Sequence, residues 1–182
     1  MAAIGVFCSS SQRLAALWLN LAHDVGMELG RRGHTLVSGG GCVGMMGAVA
    51  DGAREGGART LGVIPQALVD LEVADHDADE LIVTSGMAER KIIMMDKSDA
   101  FIVLPGGLGT LDELFEVWTT ATLGMHDKPV VVLDSNGFYR GLAEWLRGLV
   151  SQNFVQSEAL SMLLVAPDVP GAFDLLEATW TR

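Results

Sequence analysis

The chain has 182 residues, of which 49% are hydrophobic and 19% are charged, a composition typical of a folded globule and not of a disordered chain. Its 23 acidic and 12 basic residues give a formal net charge of -11, so the basic surface that nucleic-acid binding needs is not expected. The length predicts a single domain spanning residues 1–182.

The cysteine content indicates a reducing compartment, and the hydropathy indicates neither a signal peptide nor a membrane span. Two cysteines, Cys8 and Cys42, are too few for a disulfide framework or a complete structural zinc site, and no metal is expected. The first residues lack the basic start and apolar run of a signal peptide. No apolar stretch approaches the length of about 18 residues that a membrane span needs. The sequence therefore predicts a cytoplasmic protein without a membrane partner.

Short apolar runs alternate along the chain with longer segments of helical periodicity. The predicted strands are, in chain order, residues 3–8, 34–37, 60–64, 81–83, 101–104, 130–133 and 162–166. The predicted helices cover residues 11–32, 43–56, 87–97, 109–123 and 137–152, with a last helix from about Pro170. Residues 65–79 have weak periodicity and are predicted to form a loop with one helical turn at most.

The predicted strands are apolar throughout, as in Phe101–Leu104 and Val130–Leu133, which is typical of strands covered on both faces. Joined by right-handed crossovers, they predict an α/β fold, a Rossmann-like doubly wound parallel sheet with helices on both faces. Ligands of such sheets bind beyond the carboxyl ends of the strands. The loops that follow the strands are therefore the candidate sites.

The first glycine-rich turn, residues 38–47, follows a strand and opens a helix. Gly39, Gly41 and Gly44 have the spacing of a dinucleotide fingerprint, but the acidic residue expected about 20 positions later is missing. The turn also lacks the lysine of a nucleoside-triphosphate P-loop. Gly39, Gly40 and Gly41 are candidates for phosphate binding, and a tight turn that serves packing is the alternative.

A second glycine-rich turn, residues 105–113, also joins a strand to a helix. Two such turns in one small domain favour a phosphate-bearing small molecule such as a mononucleotide as the ligand. Thr110 and Glu113 have the spacing of a capping box, in which the glutamate returns to the backbone of the helix start. A catalytic role for Glu113 is equally compatible with the spacing.

A third segment, residues 87–91, contains the adjacent cations Arg90 and Lys91. A solvated helix face is one interpretation of this pair. The next four residues, 92–95, are apolar and point in every direction around the helix axis. This predicts a helix buried on most sides, by the sheet and a neighbouring helix or by a second subunit, with its charges facing a site.

Together, these motifs resemble the LONELY GUY family of cytokinin riboside 5'-monophosphate phosphoribohydrolases, many members of which were labelled lysine decarboxylases. The family patterns GGGxxGxMG, ERK and PGGxGTxxE correspond here to Gly39–Gly47, Glu89–Lys91 and Pro105–Glu113. The resemblance continues through Leu123–Pro129 and extends over most of the chain, from Val6 to about Phe154. Ala88 departs from the pattern, because the family often has histidine there.

The resemblance implies hydrolysis of the N-glycosidic bond of purine ribonucleoside 5'-monophosphates, such as a cytokinin riboside 5'-monophosphate or AMP, to free base and ribose 5-phosphate. It implies that Arg90 and Glu113 are the catalytic pair, that no cofactor is needed, and that the protein is a homodimer with its site near the subunit interface. The implied substrate contacts are Glu72, Arg90, Lys91, Gly106, Gly107, Leu108, Gly109, Thr110, Leu111, Asp112, Glu113 and Thr119.

In the hypothesis for the chemistry, Glu113 serves the ribose as a base or electrostatic stabiliser. Arg90 supports the leaving base or the phosphate and keeps Glu113 ionised. A non-catalytic carrier, similar to the molybdenum-cofactor carrier proteins that resemble this family, is the alternative function. Amino-acid decarboxylation would need pyridoxal phosphate on a lysine, and nothing marks a lysine for it. Cys8 and Cys42 are interpreted as packing residues in preference to nucleophiles.

Overall fold

The computed structural model describes residues 1–71 and 73–180, and within these residues it contains one sheet with helices on both faces. The strands are β1 (Ala3–Phe7), β2 (Thr35–Ser38), β3 (Thr60–Pro65), β4 (Glu80–Thr84), β5 (Ala100–Val103), β6 (Val130–Leu133) and β7 (Leu163–Ala166). The helices are α1 (Ala16–Arg31), α2 (Gly44–Glu55), α3 (Gln66–Val69), α4 (Met87–Lys97), α5 (Leu108–Thr122), α6 (Arg140–Ser151), α7 (Ser157–Ser161) and α8 (Val169–Trp180).

The strand order confirms the predicted doubly wound parallel sheet. The order is β4-β3-β2-β1-β5-β6-β7, and each neighbouring pair is parallel. The chain moves outward from β1 to β4 and then crosses to the other side of β1 to form β5. The loops after β1 and β5 therefore diverge at the carboxyl edge of the sheet. A crevice between two such loops is where ligands bind in open parallel sheets.

Side chains alternate between two hydrophobic cores along the central strands. On β5, Ala100 and Ile102 face the core formed with α1, α2 and α8. Phe101 and Val103 face the core formed with α4 and α5. All four are fully buried, and burial of each larger side chain stabilises the fold by roughly 1.5–3 kcal/mol. The two-sided burial explains why the strands contain no polar alternation.

Helices α1 and α2 pack through backbone contact. A Cβ on Gly26 of α1 would overlap the backbone of Val49 and Ala53 in α2. A Cβ on Gly52 of α2 would overlap the carbonyl of His23 in α1. The two helices can lie this close only because glycine occupies both positions. This fixes α2, and with it the glycine-rich turn that precedes α2, against the sheet.

Most predicted bounds agree with the structure to within a few residues, and the differences have local causes. Helix α1 begins at residue 16 and not at 11, because Ser9 and Ser11 accept backbone N–H groups of the loop through their hydroxyls. Helix α6 begins at residue 140, after a 3-10 turn in which Asn136 and Gly137 have positive φ. The short helix α7 is not predicted by the sequence pattern. None of the helices described is long and apolar enough to cross a membrane.

Candidate active site

Arg90 lies in the first turn of α4, and its side chain is buried at the carboxyl edge of the sheet. Only 6% of the residue is exposed. Its Nε donates to the carbonyl of Val63 in β3 at 3.0 Å. Its Nη1 donates to Oε1 of Glu113 at 3.0 Å, which makes a buried ion pair. The interpretation of Arg90 as part of a solvated helix face is therefore wrong.

Glu113 lies in the second turn of α5, and 7% of the residue is exposed. Helix α5 begins at Leu108 after Gly107, and no side chain caps its first turn. Glu113 is thus five residues beyond the helix start, too far to return to the first backbone N–H groups. The capping-box interpretation of Thr110 and Glu113 is wrong, and the carboxylate pairs with Arg90 instead.

The first glycine-rich turn explains how the guanidinium fits against the strand edge. A Cβ on Gly39 would overlap Nη2 of Arg90 and approach the sulfur of Met46 to 3.0 Å. Because Gly39 has no side chain, the guanidinium of Arg90 can lie against its backbone. By contrast, the N–H of Gly40 bonds to Ser38 Oγ, and the carbonyl of Gly40 accepts the N–H of Asp75. Gly41 forms a bridge with Ala74.

Arg90 and Glu113 share a cavity of about 320 Å³ at the switch point between β1 and β5. The loop Ser9–Ser11 after β1 lines one side, and residues 107–110 at the start of α5 line another. Oε2 of Glu113 and Nη2 of Arg90 have no hydrogen-bond partner among the described residues, so both are available to a ligand. The first N–H groups of α5, like those of any helix start, lack intrahelical partners and are able to bind an anion.

Burial sets the protonation of the carboxyl. It raises the pKa of Glu113 to about 7, because a low-dielectric interior disfavours the charged form. Arg90 acts in the opposite direction but does not outweigh burial. Arg90 lowers the pKa of Glu113 as expected, but because burial has the larger effect, Arg90 does not keep the carboxyl ionised below about pH 7. A carboxyl that titrates near neutrality is suited to proton transfer.

Cys8 also lines the cavity, with its thiol buried beside the ion pair. Burial raises the pKa of Cys8 far above its usual range, and the nearby Glu113 raises it further. A thiol nucleophile must ionise, so Cys8 is not one, and its role is packing. Cys42 is exposed and does not line the cavity.

The structure brings together some of the substrate-contact candidates and separates others. Residues 107–110, Arg90 and Glu113 line one cavity, as does Gly39. Leu111 packs against the core, and Gly106 lies beneath the side chain of Thr110. Lys91 and Asp112 bond to each other outside the cavity.

Thr119 lies on the exposed face of α5, in a separate groove of about 520 Å³ formed with α6 and α7. A single chain does not bring it to the Arg90–Glu113 cavity. Glu72 lies outside the residues that the structure describes.

The sequence argument did not assign a role to several residues that line the cavity. The loop Ser9–Ser11 presents hydroxyl-bearing residues to it, and Met46, Leu68 and Met87 give it an apolar wall. Three consecutive serines directly after the first strand are a signal that could have been used. The apolar wall carries no such signal, because these residues come from three separate helices.

Comparison with known proteins agrees with the motifs. The model of a family described as possible lysine decarboxylase matches residues 46–176. A cytokinin riboside 5'-monophosphate phosphoribohydrolase of Mycobacterium tuberculosis is 55% identical over 169 residues, which cover 93% of this chain and 90% of the relative. One of Arabidopsis thaliana is 42% identical over 164 residues, 90% of this chain and 76% of the relative.

Among solved structures, the Moco carrier protein of Chlamydomonas reinhardtii has a TM-score of 0.72 and 26% identity, covering 99% of this chain and 98% of the carrier. The extent of these matches, together with the three ordered motifs, shows that the chain belongs to the LONELY GUY family of cytokinin riboside 5'-monophosphate phosphoribohydrolases, which the possible lysine decarboxylase model also describes.

Proposed function

We propose that the protein hydrolyses the N-glycosidic bond of purine ribonucleoside 5'-monophosphates, such as AMP or a cytokinin riboside 5'-monophosphate. The products are the free base and ribose 5-phosphate. The observation that carries the proposal is the buried pair of Arg90 and Glu113, which lines one cavity beside the start of a long helix. Relatives at 55% and 42% identity are named for this activity.

The substrate phosphate is proposed to bind at the N-terminus of α5, because the first N–H groups of a helix have no intrahelical acceptor and residues 107–110 line the cavity. The hydroxyls of Ser9–Ser11 face the same cavity and can add hydrogen bonds. The α5 turn is favoured over Gly40, because the N–H and the carbonyl of Gly40 both have hydrogen-bond partners within the protein.

In the reaction, the bond between C1' of ribose and N9 of the purine breaks, and its electron pair leaves with the base. A water oxygen bonds to C1', and Oε2 of Glu113 takes a proton from that water. The base takes up one proton from solvent and departs neutral, and Glu113 returns its proton to solvent, so that one water is consumed in all. The positive charge that develops on ribose is stabilised by the carboxylate, as in glycoside hydrolysis. Arg90 orients Glu113 through Nη1 and can donate from Nη2 to the substrate.

The Glu113→Gln variant tests this assignment. The amide keeps the size of the side chain but cannot accept a proton, so release of ribose 5-phosphate from AMP should fall by at least about 100-fold. Glu144→Gln, an exposed position on α6, is the matched control and should leave the rate unchanged. A near-normal rate in a folded Glu113→Gln protein would reject the proposed role.

The same fold in a Moco carrier protein makes a non-catalytic carrier the second candidate. The arginine–glutamate pair favours hydrolysis, because a carrier needs no base beside a sugar carbon. Incubation with AMP separates the two functions. Free adenine should accumulate with time for the hydrolase, whereas a carrier would leave AMP intact.

We also propose a cytoplasmic homodimer. Leu108 at the cavity mouth is 88% exposed, and Ile92 on α4 is 57% exposed. Large apolar side chains exposed in this way are typical of a surface that a partner covers. A partner that covers this surface would also explain why residues 92–95 of α4 are apolar in every direction around the helix axis. The unpaired Cys8 and Cys42 fit a reducing compartment. Light scattering after size-exclusion chromatography should give twice the mass of 19.3 kDa, and a monomer would reject the dimer.

A further inference from the structure

Tyr139 is a buried polar residue to which the proposed mechanism assigns no part. It is the single tyrosine of the chain, and only 5% of it is exposed. Its hydroxyl donates to the carbonyl of Leu104 at 2.6 Å. Leu104 directly follows β5 and is joined by Pro105–Gly107 to the start of α5. The hydroxyl thus bonds to the backbone at the point where the strand ends and the proposed phosphate-binding turn begins.

This α5 turn, residues 105–110, is open on one side and supported on the other. Residues 107–109 are exposed, and the two glycines among them have open space where a side chain would be. On the buried side, Leu104 is fully enclosed, and its N–H donates to a carbonyl of β1 at 2.9 Å. Among the described residues, Tyr139 is the only donor to the Leu104 carbonyl. The exposed side is therefore left to a ligand, while Tyr139 supports the turn from beneath.

The loop between β6 and α6 holds Tyr139 in this position. Its N–H donates to Oδ1 of Asp134 at 2.7 Å. Asn136 and Gly137 have positive φ, which allows a tight turn between these two residues. The ring packs in the core formed with α4 and α5 and meets the ring of Phe138 edge-on at 4.9 Å. Because packing and a backbone bond fix the ring, loss of the hydroxyl alone removes one hydrogen bond and little else.

The hydroxyl is a permanent donor. Burial raises the pKa of Tyr139 far above its ordinary value, and the nearby Cys8 and Asp134 raise it further. The phenol stays protonated at neutral pH, so its one proton remains available to the Leu104 carbonyl. A buried carbonyl without a donor is unfavourable, so loss of this bond makes the backbone shift or admit water. Either change occurs three residues before α5 begins.

We propose that Tyr139 is a positioning residue, which fixes the α5 turn from beneath and so sets the affinity of the site for the substrate phosphate. This inference rests on the proposed function, because it takes the α5 turn as the phosphate site. Tyr139 does not line the cavity, so it acts through Leu104 and not by touching the substrate. Arg90 and Glu113 are held by each other and by the carbonyl of Val63. The effect should therefore fall on ligands that carry a phosphate.

The Tyr139→Phe variant tests this with AMP and adenosine, which differ only in the phosphate. Calorimetry in the Glu113→Gln background, where turnover is suppressed, measures binding alone. Loss of the hydroxyl should raise the Kd of AMP by about 10-fold and leave that of adenosine within about twofold. Ser98→Ala is the matched control, because it removes a buried 2.7 Å bond to the carbonyl of Met94 just before the other end of β5. It should leave both Kd values unchanged.

The turnover of AMP gives an independent readout. With Glu113 present, Tyr139→Phe should raise KM by about 10-fold and leave kcat within about threefold, since a phosphate contact serves ground state and transition state alike. A hydroxyl with a merely structural role would lower Tm, as Ser98→Ala does, without moving KM.

A third measurement leaves the hydroxyl in place and holds even if Tyr139→Phe does not fold. Because the chain has one tyrosine, 3-fluorotyrosine supplied during expression labels position 139 alone. Its fluorine-19 resonance should move on addition of AMP or ribose 5-phosphate, and much less with adenosine. A resonance that adenosine moves as far as AMP, or an unchanged Kd for AMP in folded Tyr139→Phe, would overturn the proposal.

The two proposals fail in different ways. If the unaltered protein does not cleave AMP but Tyr139→Phe weakens the binding of AMP and not of adenosine, the proposed hydrolysis fails and the role of Tyr139 stands. If AMP is cleaved but the variant weakens both ligands equally, the hydrolysis stands and the role of Tyr139 is rejected.

Discussion

The contact between Gly39 and Arg90 gives a sharp test of the site, because it involves a residue with no functional group. In the Gly39→Ala variant, the new methyl group would occupy the space of Arg90 Nη2. The backbone at Gly39 does not have a positive φ, so alanine is admissible there and the cost falls on the guanidinium.

The guanidinium can move away from the methyl group only by giving up one of its two anchors, the carbonyl of Val63 or the carboxylate of Glu113. A hydrogen bond that involves a charged group contributes about 1.5–3 kcal/mol. One such bond lost from the transition state corresponds to a decrease of about 10- to 100-fold in kcat/KM.

The assay is release of ribose 5-phosphate from AMP, with circular dichroism to confirm that the variant is folded. Gly141→Ala on α6 is the control, because a Cβ at that position meets open space. We expect the control to retain full activity. If Gly39→Ala retained kcat/KM within twofold of the unaltered protein, the guanidinium would not need its observed position, and the reasoning would be refuted.

Three further outcomes follow from the structure. Because burial raises the pKa of Glu113 to about 7, kcat/KM should rise with pH through about 7 as the base ionises, and a flat profile between about pH 6 and 8 would contradict this. Gly26→Ala forces α1 away from α2 and should destabilise the fold by about 1–3 kcal/mol, measured as a lower Tm than in Gly141→Ala; an unchanged Tm would show that the helices can separate freely. Trp118→Phe removes the 2.8 Å bond from Nε1 to the carbonyl of Ala159 and should lower the free energy of unfolding by about 1 kcal/mol in urea titration, whereas no loss would mean that α7 is held by other contacts.

Much of the fold could be predicted from hydrophobic periodicity. Helix 87–97 and strand 130–133 agree with the structure in both bounds, because each has a strong pattern and an abrupt end. Helix α7 could not be predicted, since five residues contain too few turns to show a period. The predicted start of α1 at residue 11 is wrong. In the loop before α1, serine hydroxyls accept the backbone N–H groups that would otherwise bond within a helix.

The site was predictable in its components but not in its geometry. The glycine turns and Arg90 marked segments that the structure brings together in one cavity at the switch point of the sheet. Spacing alone could not decide between a cap and a catalytic carboxyl for Glu113, because the decision depends on where α5 begins. Nor could sequence show that Arg90 and Lys91 diverge, one toward the cavity and one toward the gap between the helices.

The anchoring of Arg90 Nε to a strand carbonyl has a consequence for evolution and design. That anchor belongs to the peptide backbone of β3, so no substitution of the Val63 side chain removes its acceptor oxygen. A chain that lost its acidic partner could still hold a guanidinium at the mouth of the crevice, ready to grasp an anion without destroying it. Under the proposed mechanism, a single exchange on α5 would thus turn a nucleotide-cleaving protein into a nucleotide receptor.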